Sequence, residues 1–498
     1  MKVFRRGSLL TDVSLTFFTQ IFITIVGITL LKMLALYLPE EGLGIYLVFR
    51  RVGGMGYSLL TLNLGMSLAR YISIDKQKSE DFLFFSLILT TLIGGSLSLI
   101  FLLLPNEFAK LLFGDEKFGT LLPPMILFLL ANSYIVLCQN YFRGKQQFIF
   151  MNVVNILFWV FALVIVFIPF LRTTTIQFLV RYFWVHSVIS IFIVFLFIVL
   201  PKKPSGMKLE GLRHGMSFKY YMYSKDFFKY GISRLPSSLL LAGIFTLPIL
   251  IASSSISLTV TAYIGIIVSI IRMAQIFMQP FNLIFLPKFA EYQAFGNRDL
   301  IRKNSQSVLE YTFSVPFIFG LLVAFFSREI ILLWFGEKYS IVIPYLTYLS
   351  PTIGLLFSFI LLHGILDGLF EKPYANIITV VAFLIELALL VAALIFKWNL
   401  LGLTIGIGAG ISALGLMTIL ILVRKTELDF FQPRIISSIV WFGFIWAATS
   451  FLNRFLSLDY ILRAIVLKIL IALGLSLFSF GFYYKLRFAW IDYLFKKQ

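Results

Sequence analysis

The sequence is poor in the residues that most often build catalytic or metal centres. It has one cysteine, Cys138, among 498 residues, so it can form no intramolecular disulfide and no cysteine metal cluster. The three histidines, His186, His214 and His363, are too few and too scattered to predict a metal site. No glycine-rich segment ends in Gly-Lys-Ser or Gly-Lys-Thr, the pattern of a nucleotide phosphate loop. We therefore expect no cofactor, no metal and no ATP hydrolysis.

Charged residues are scarce as well. They make up 13% of the chain, compared with about 25% in an average soluble protein. Hydrophobic residues make up 60%, aromatic residues 17%, and the mean hydropathy is +0.95. A soluble core could not accommodate this much apolar material. The composition predicts an all-α protein that crosses a membrane many times.

About fourteen segments are apolar over the roughly 20 residues that a helix needs to span a bilayer. No cleavage motif follows the first of them, so we expect a retained helix and not a signal peptide. The predicted spans lie at roughly 11–35, 44–69, 82–104, 120–142, 151–171, 176–200, 228–252, 258–287, 307–326, 341–366, 374–396, 400–423, 435–452 and 460–484.

The net charge of +19 reflects topology and does not predict nucleic-acid binding. With the N-terminus in the cytoplasm, basic residues favour the inside segments by roughly three to one, as the positive-inside rule requires. An even number of spans then places both termini in the cytoplasm. Attraction to anionic membrane lipids is a secondary effect of the same charges. The pattern predicts a multi-pass protein of the cell (inner or plasma) membrane.

Four arginines, Arg50, Arg51, Arg234 and Arg272, lie inside these apolar segments. A charge at bilayer depth costs at least about 2.5–3.5 kcal/mol on insertion scales, so such residues usually have a function. Guanidinium groups grip phosphate through a planar fork of donors. The four arginines therefore predict a transporter for an anionic substrate.

Arg272 lies near the middle of the eighth predicted span. Gln275 and Gln279 follow at helical spacings, so the three side chains are expected on one face of the helix. A polar stripe at this depth would not face lipid. We predict that all three bind substrate; the alternative is that Arg272 pairs with a carboxylate and serves structure.

The second predicted span carries Arg50 and Arg51, and the helical repeat places Tyr46 on the face of Arg50. Adjacent residues point about 100° apart on a helix, so only one arginine can face a cavity squarely. Arg234 lies near the predicted cytoplasmic end of the seventh span and could contact phosphate first. The alternative for all three arginines is snorkelling towards lipid headgroups.

Two further features occur in the eleventh and twelfth predicted spans. Glu386 lies in the middle of the eleventh span, where it could bind a coupling cation or proton, or neutralise a nearby arginine. Gly402, Gly406 and Gly410 recur every four residues, which predicts a stripe of small residues where two helices pack.

The first six spans and the next six contain short matching segments in the same order. Leu-Phe-Gly-Asp-Glu-Lys-Phe at 112–118 corresponds to Trp-Phe-Gly-Glu-Lys-Tyr at 334–339, each in an outside loop before the fourth helix of its half. Two six-helix copies with one orientation predict a pseudo-two-fold axis along the membrane normal, with substrate between two lobes. The predicted domains are an N-terminal lobe at 1–200, a basic cytoplasmic linker at 201–226, a C-terminal lobe at 227–426, and two additional helices at 427–498.

The two lobes, the basic linker and the stretch Gly44-Ile-Tyr46, Asn63-Leu-Gly65 and Ala69-Arg70-Tyr71 resemble the multidrug/oligosaccharidyl-lipid/polysaccharide (MOP) flippase superfamily. The branch most similar in layout is that of the polysaccharide transporters, including the Wzx-type O-antigen flippases. The resemblance implies translocation of a polyprenyl-pyrophosphate-linked oligosaccharide to the outer leaflet by alternating access. It also implies a cationic central cavity, with basic residues on the second and eighth helices, and polysaccharide polymerases and glycosyltransferases as partners.

Three other functions remain open at this point. A cation-coupled multidrug exporter of the same superfamily would be expected to carry acidic residues inside its first six spans, where only Asp12 occurs, near an edge. A peptidoglycan-precursor flippase would differ only in its substrate. A membrane-embedded polysaccharide polymerase or ligase would need a sizeable outside loop with catalytic groups, and the predicted outside loops are short.

Overall fold

The computed structural model describes most of the chain up to residue 447. The described residues are 6–168, 174–199, 218–275, 298–313, 315–370 and 374–432, with isolated positions between 278 and 296 and between 372 and 447. They contain helices and no β-strand, which confirms the all-α fold. The predicted fourteenth span and half of the thirteenth lie outside the described residues.

The described helices form two compact units, Met1–Gly265 and Ile266–Gln498. The boundary between the units lies inside a helix, α10. The predicted linker 201–226 is not described before residue 218, where helix α9 begins. The division into two six-helix lobes stays a prediction.

The helices of the first unit begin close to the amino terminus. They are α1 (Arg6–Tyr37), α2 (Glu40–Leu60), α3 (Leu64–Ile74), α4 (Ser79–Leu103), α5 (Pro105–Phe113), α6 (Leu122–Gly144), α7 (Phe148–Val166), α8 (Thr175–Val199), α9 (Phe218–Ile251) and α10 (Leu258–Ala274), whose last residues belong to the second unit.

The second unit continues with shorter helices before three long ones. They are α11 (Arg298–Thr312), α12 (Val315–Phe325), α13 (Ser327–Trp334), α14 (Val342–Leu349), α15 (Thr352–Leu369), α16 (Tyr374–Ile395) and α17 (Asn399–Thr426).

Among the described residues ten helical segments are long and apolar enough to cross a membrane, and they confirm ten of the predicted spans. The eighth span is represented by the shorter apolar helix Leu258–Met273. The tenth is divided at Ser350 and Pro351 into α14 and α15, of which α15 alone is long enough.

The second predicted span is interrupted and does not form one helix. It ends as α2 at Leu60 and resumes as α3 at Leu64. Leu62 and Asn63 adopt left-handed backbone conformations, with φ of +46° and +58°, which side chains other than glycine rarely occupy. The interruption places non-helical backbone between the two halves of this span, where it has to be covered by protein.

Helix α6 is the central helix of the first unit, because α2, α3, α4, α7 and α8 all pack on it. Helix α9 packs on α2 and α3. Ser67 of α3 donates a hydrogen bond of 2.8 Å to the carbonyl oxygen of Phe227, and Asn63 donates one of 3.1 Å to Ser238. These two bonds hold α9 beside the interruption between α2 and α3.

In the second unit α17 packs against α15 and α16. A Cβ added to Gly406 would approach the side chain of Leu390 to 2.7 Å, and one added to Gly410 would approach Glu386 to 2.8 Å. A Cβ added to Gly402 would likewise lie too close to the Cβ atom of Ala393 in α16. The predicted packing stripe is therefore confirmed: these glycines let α17 approach α16 closely.

The matching loop segments adopt matching local structures. In the first unit Nζ of Lys117 lies 5.1 Å from the ring centroid of Phe118, and in the second Nζ of Lys338 lies 5.0 Å from that of Tyr339. Both lysines lie in a short 3₁₀ helix that follows a glycine with positive φ. The two glycines are Gly114 (φ +78°) and Gly336 (φ +91°). The shared geometry supports an internal duplication.

Candidate substrate-binding site

Helix α2 places two arginines midway along its length. Arg50 and Arg51 are ten and eleven residues from its first residue, Glu40, which is about 15 Å along the axis at a rise of about 1.5 Å per residue. Helices α2 and α3 together run from Glu40 to Ile74, so the two arginines lie about a third of the way along this interrupted span. The flanking residues Phe49 and Val48 are fully buried and apolar, so the charges are set in low-polarity surroundings.

The two arginines differ in their environments. Arg51 is buried, with 5% of its surface exposed. Arg50 is half-buried, and its Cζ atom lies 5.2 Å from the ring centroid of Trp159 in α7. A guanidinium over an indole gains about 0.5–2 kcal/mol, more as the site becomes desolvated. Arg50 is thus held against α7, while Arg51 lies inside the helix bundle.

Close packing fixes the position of α2 against α6. A Cβ added to Gly53 would lie 2.6 Å from Cε1 of Phe128, and a Cβ added to Gly56 would be similarly close to Cδ2 of Leu129. The side-chain amide of Asn132 donates a 3.1 Å hydrogen bond to the carbonyl oxygen of Gly53. A hydrogen bond of this kind between membrane helices contributes about 0.6–2 kcal/mol. The helix that carries both arginines is therefore positioned rigidly within the first unit.

Tyr46, one turn before Arg50, packs into an aromatic cluster. It is 4% exposed, and its ring centroid lies 6.0 Å from that of Tyr182 and 5.8 Å from that of Phe183, both in α8. Phe183 in turn stacks on Phe49 at 4.0 Å. In this conformation Tyr46 therefore packs α2 onto α8, and its predicted contact with substrate stays a prediction.

Arg234 is half-buried in α9. Its Cζ atom lies 3.8 Å from the ring centroid of Tyr230, one turn earlier in the same helix. Two residues later Pro236 lies inside the helix. The guanidinium is thus held close to its own helix instead of extending away from it.

Arg272 and Gln275 lie in the second unit. Arg272 is exposed, in the last turn of α10, and Gln275 is half-buried just after the helix ends at Ala274. Gln279 lies outside the described residues. The predicted alignment of all three on one helix face therefore stays a prediction.

Glu386 is fully buried in α16. Neither of its carboxyl oxygens has a hydrogen-bond partner among the described residues. A carboxylate in such surroundings is strongly disfavoured unless it carries a proton or binds a cation. No group of three or more His, Cys, Asp or Glu side chains in the described part of the chain is arranged to hold a metal ion.

Three elements of this region were not identified from the sequence. They are the interruption at Leu62 and Asn63, the contact of Arg50 with Trp159, and the hydrogen bond from Asn132. Asn63 could have indicated the interruption, because asparagine tolerates left-handed conformations better than most residues. The other two join residues far apart in sequence and have no local signal.

No protein-family model and no curated protein matches the sequence. Solved structures do match. An inward-facing multidrug resistance MATE family transporter of the MOP superfamily is 14% identical, with a TM-score of 0.68 over 81% of this chain and 94% of that one. The lipid II flippase MurJ, in an inward closed conformation, is 15% identical, with a TM-score of 0.64 over 94% of this chain and 98% of that one.

A third solved structure is a MOP superfamily transporter from Pyrococcus furiosus, described as having a binding pocket of reversed polarity. It is 15% identical, with a TM-score of 0.54 over 84% of this chain and 95% of that one. At these identities the similarity concerns the fold. The chain has the multi-pass helical fold of the MOP superfamily transporters.

Proposed function

We propose that the protein is a flippase that moves a polyprenyl-pyrophosphate-linked oligosaccharide from the cytoplasmic to the outer leaflet by alternating access, for synthesis of a cell-surface polysaccharide. The observation that carries this proposal is the position of Arg51, 5% exposed and about halfway along α2, beside Arg50. Guanidinium groups set among buried apolar residues attract an anionic substrate strongly, because charges interact more strongly where the dielectric constant is low.

The pyrophosphate suits these arginines in charge and in geometry. It carries about two negative charges and several acceptor oxygens. One planar guanidinium group can donate two parallel hydrogen bonds to two of these oxygens. The sugars require a hydrated volume with hydrogen-bonding groups, and Gln275, Gln279 and Tyr46 are the proposed contributors. The lipid tail remains in the bilayer during translocation. Arg234 and Arg272 complete the proposed set of phosphate ligands.

The charge of the site favours this function over that of a multidrug exporter. The MATE transporter has the higher TM-score, 0.68 compared with 0.64, but the lipid II flippase matches 94% of this chain and the MATE transporter 81%. A fold match over more of the chain, together with a buried and a half-buried arginine in α2, supports a lipid-linked anionic substrate. Within this class, a peptidoglycan precursor is the second candidate.

Glu386 is the proposed site of ion coupling. Its burial, with no hydrogen-bond partner among the described residues, requires a proton or a cation to compensate its charge. Release of that ion on one side of the membrane would change the packing of α16 on α17. The proposed location is the cell membrane, with both termini in the cytoplasm.

Flipping of a labelled polyprenyl-pyrophosphate-linked oligosaccharide in proteoliposomes tests the proposal. We expect Arg51→Gln to lower the flipping rate at least about tenfold, as loss of a charged hydrogen bond implies. The rate of Arg51→Lys should lie between those of the wild type and Arg51→Gln, because lysine keeps the charge but not the planar fork of donors. Arg302→Gln, a change of an exposed arginine in α11, is the matched control and should flip at the wild-type rate. Flipping by a correctly folded Arg51→Gln protein at the wild-type rate would remove Arg51 from the mechanism.

A further inference from the structure

Tyr230 of α9 contacts two arginines from different helices. The Cζ atom of Arg234, in α9, lies 3.8 Å from its ring centroid, and the Cζ atom of Arg70, in α3, lies 4.5 Å from the same centroid. Both distances are within the range of a cation–π contact. One aromatic ring therefore holds two guanidinium groups close together.

The two positive charges are not neutralised by acidic side chains in the described part of the chain. Neither Arg70 nor Arg234 has a carboxylate within salt-bridge distance there, and no described side chain accepts a hydrogen bond from either guanidinium. Two like charges held together repel each other, and a ring face compensates this only in part. The arrangement becomes most favourable when an anion with two phosphate groups binds both arginines.

A cation–π contact does not use up the N–H donors of a guanidinium group. A cation–π contact uses the face of a guanidinium, whereas its five N–H donors lie in the plane of the group. Arg70 is exposed and Arg234 is half-buried, so both can be reached from outside the protein. Tyr230 thus acts as a spacer that orients two sets of in-plane donors.

The backbone around the pair is held in place before any ligand binds. Ser67, one turn before Arg70, donates its 2.8 Å hydrogen bond to the carbonyl oxygen of Phe227, which lies two turns before Arg234. The ring of Phe227 stacks on that of Phe82 in α4 at 4.9 Å and lies 5.6 Å from that of Tyr71. A site held in place in this way loses little conformational entropy on binding.

The position in the membrane indicates the side from which the ligand comes. Arg70 lies in the second-last turn of α3, one turn before the segment with Lys76 and Lys78, which the positive-inside rule places in the cytoplasm. We propose that Arg70, Tyr230 and Arg234 form a capture site for the diphosphate group of a polyprenyl diphosphate at the cytoplasmic surface. The proposal rests on the proposed flippase function and adds Arg70 and Tyr230 to its substrate contacts.

Binding of farnesyl diphosphate to the purified full-length protein tests the capture site, with farnesol as the phosphate-free ligand. Wild-type protein should bind farnesyl diphosphate and not farnesol. Arg70→Gln and Arg234→Gln should each raise the Kd at least about tenfold, and Arg70→Lys less. Tyr230→Leu should also raise the Kd. Tyr230→Phe keeps the ring, so its Kd should be close to that of the wild type. Arg302→Gln is the matched control and should leave the Kd unchanged.

Competition distinguishes the sources of the phosphate. Displacement by inorganic pyrophosphate supports diphosphate recognition, whereas equal displacement by phosphatidylglycerol would show a general contact with anionic lipid and overturn the inference. If wild-type protein binds farnesyl diphosphate and neither Arg70→Gln nor Arg234→Gln changes the Kd, the capture site is wrong and the flippase proposal stands. If wild-type protein binds no diphosphate, both proposals fail.

Discussion

Glu386 lies directly against Gly410 in the second unit: a Cβ added to the glycine would stand 2.8 Å from Oε2 of Glu386 and 3.0 Å from its Cβ. A buried carboxyl group and the glycine that makes room for it therefore belong to one contact between α16 and α17. Both residues lie in long apolar helices, and the contact can be changed from either side.

The first prediction concerns Gly410. Gly410→Ala should destabilise the protein by about 1–3 kcal/mol, because the added methyl group forces apart two closely packed helices. Gly95→Ala is the matched control, since a Cβ there would meet no atom within 4 Å. Thermal unfolding in detergent should show a lower Tm for Gly410→Ala only. Equal Tm values for the two variants would show that the contact tolerates expansion.

The second prediction concerns ion coupling at Glu386. Glu386→Gln removes the charge and keeps the shape of the side chain, so the variant should remain folded. Transport by the wild type should respond to an imposed proton or sodium gradient, and transport by Glu386→Gln should not. Rates are measured in proteoliposomes with and without each gradient. An unchanged gradient response in the variant would assign Glu386 a structural role.

The third prediction concerns the interruption between α2 and α3. Asn63 has φ of +58° and donates to Ser238 at 3.1 Å. Asn63→Ala should cost about 1–3 kcal/mol, through the strained backbone and the lost hydrogen bond together. Asn63→Gly should recover part of this, because glycine adopts positive φ without strain.

Ser238→Ala separates the two contributions to the effect at Asn63. A double-mutant cycle between Asn63→Ala and Ser238→Ala, followed by unfolding in detergent, should give a coupling energy of about 0.5–1.5 kcal/mol. Additive effects of the two changes would mean that the hydrogen bond contributes nothing to stability. Asn63→Gly would then be expected to be as stable as the wild type.

The fourth prediction concerns Arg272. Arg272→Ala should abolish export of the lipid-linked glycan while leaving the protein folded, because Arg272 is exposed in α10. Arg272→Lys should restore export only in part, since a point charge replaces a two-pronged donor. Surface glycan is measured in cells that express each variant at equal levels. Normal export with Arg272→Ala would exclude this residue from the mechanism.

Much of the fold could be predicted because it follows from long apolar runs. Ten of the fourteen spans predicted from hydropathy correspond to long apolar helices in the described part of the chain, and the spacing of Gly402, Gly406 and Gly410 correctly indicated a packing stripe. The interruption at Leu62 and Asn63 could not be found in this way. Both residues lie in an apolar window, and hydropathy carries no information on backbone angles.

The candidate site was harder to predict than the spans. The sequence predicted arginines inside apolar spans, because that depends only on position within a span. It did not indicate that Trp159 contacts Arg50, or that Arg70 and Arg234 share Tyr230. Contacts of this kind join helices distant in sequence and depend on how α2, α3, α7 and α9 pack.

The central claim is that the arginines recognise the pyrophosphate group of a lipid-linked glycan. Binding of purified protein to three ligands tests it most directly: the natural lipid-linked glycan, the same molecule without its phosphates, and a version with an altered terminal sugar. We predict that affinity falls at least about a hundredfold without the phosphates, as the loss of several charged hydrogen bonds implies, and changes far less when the sugar is altered. Equal binding of the dephosphorylated ligand would contradict the claim and leave the buried arginines with a structural role.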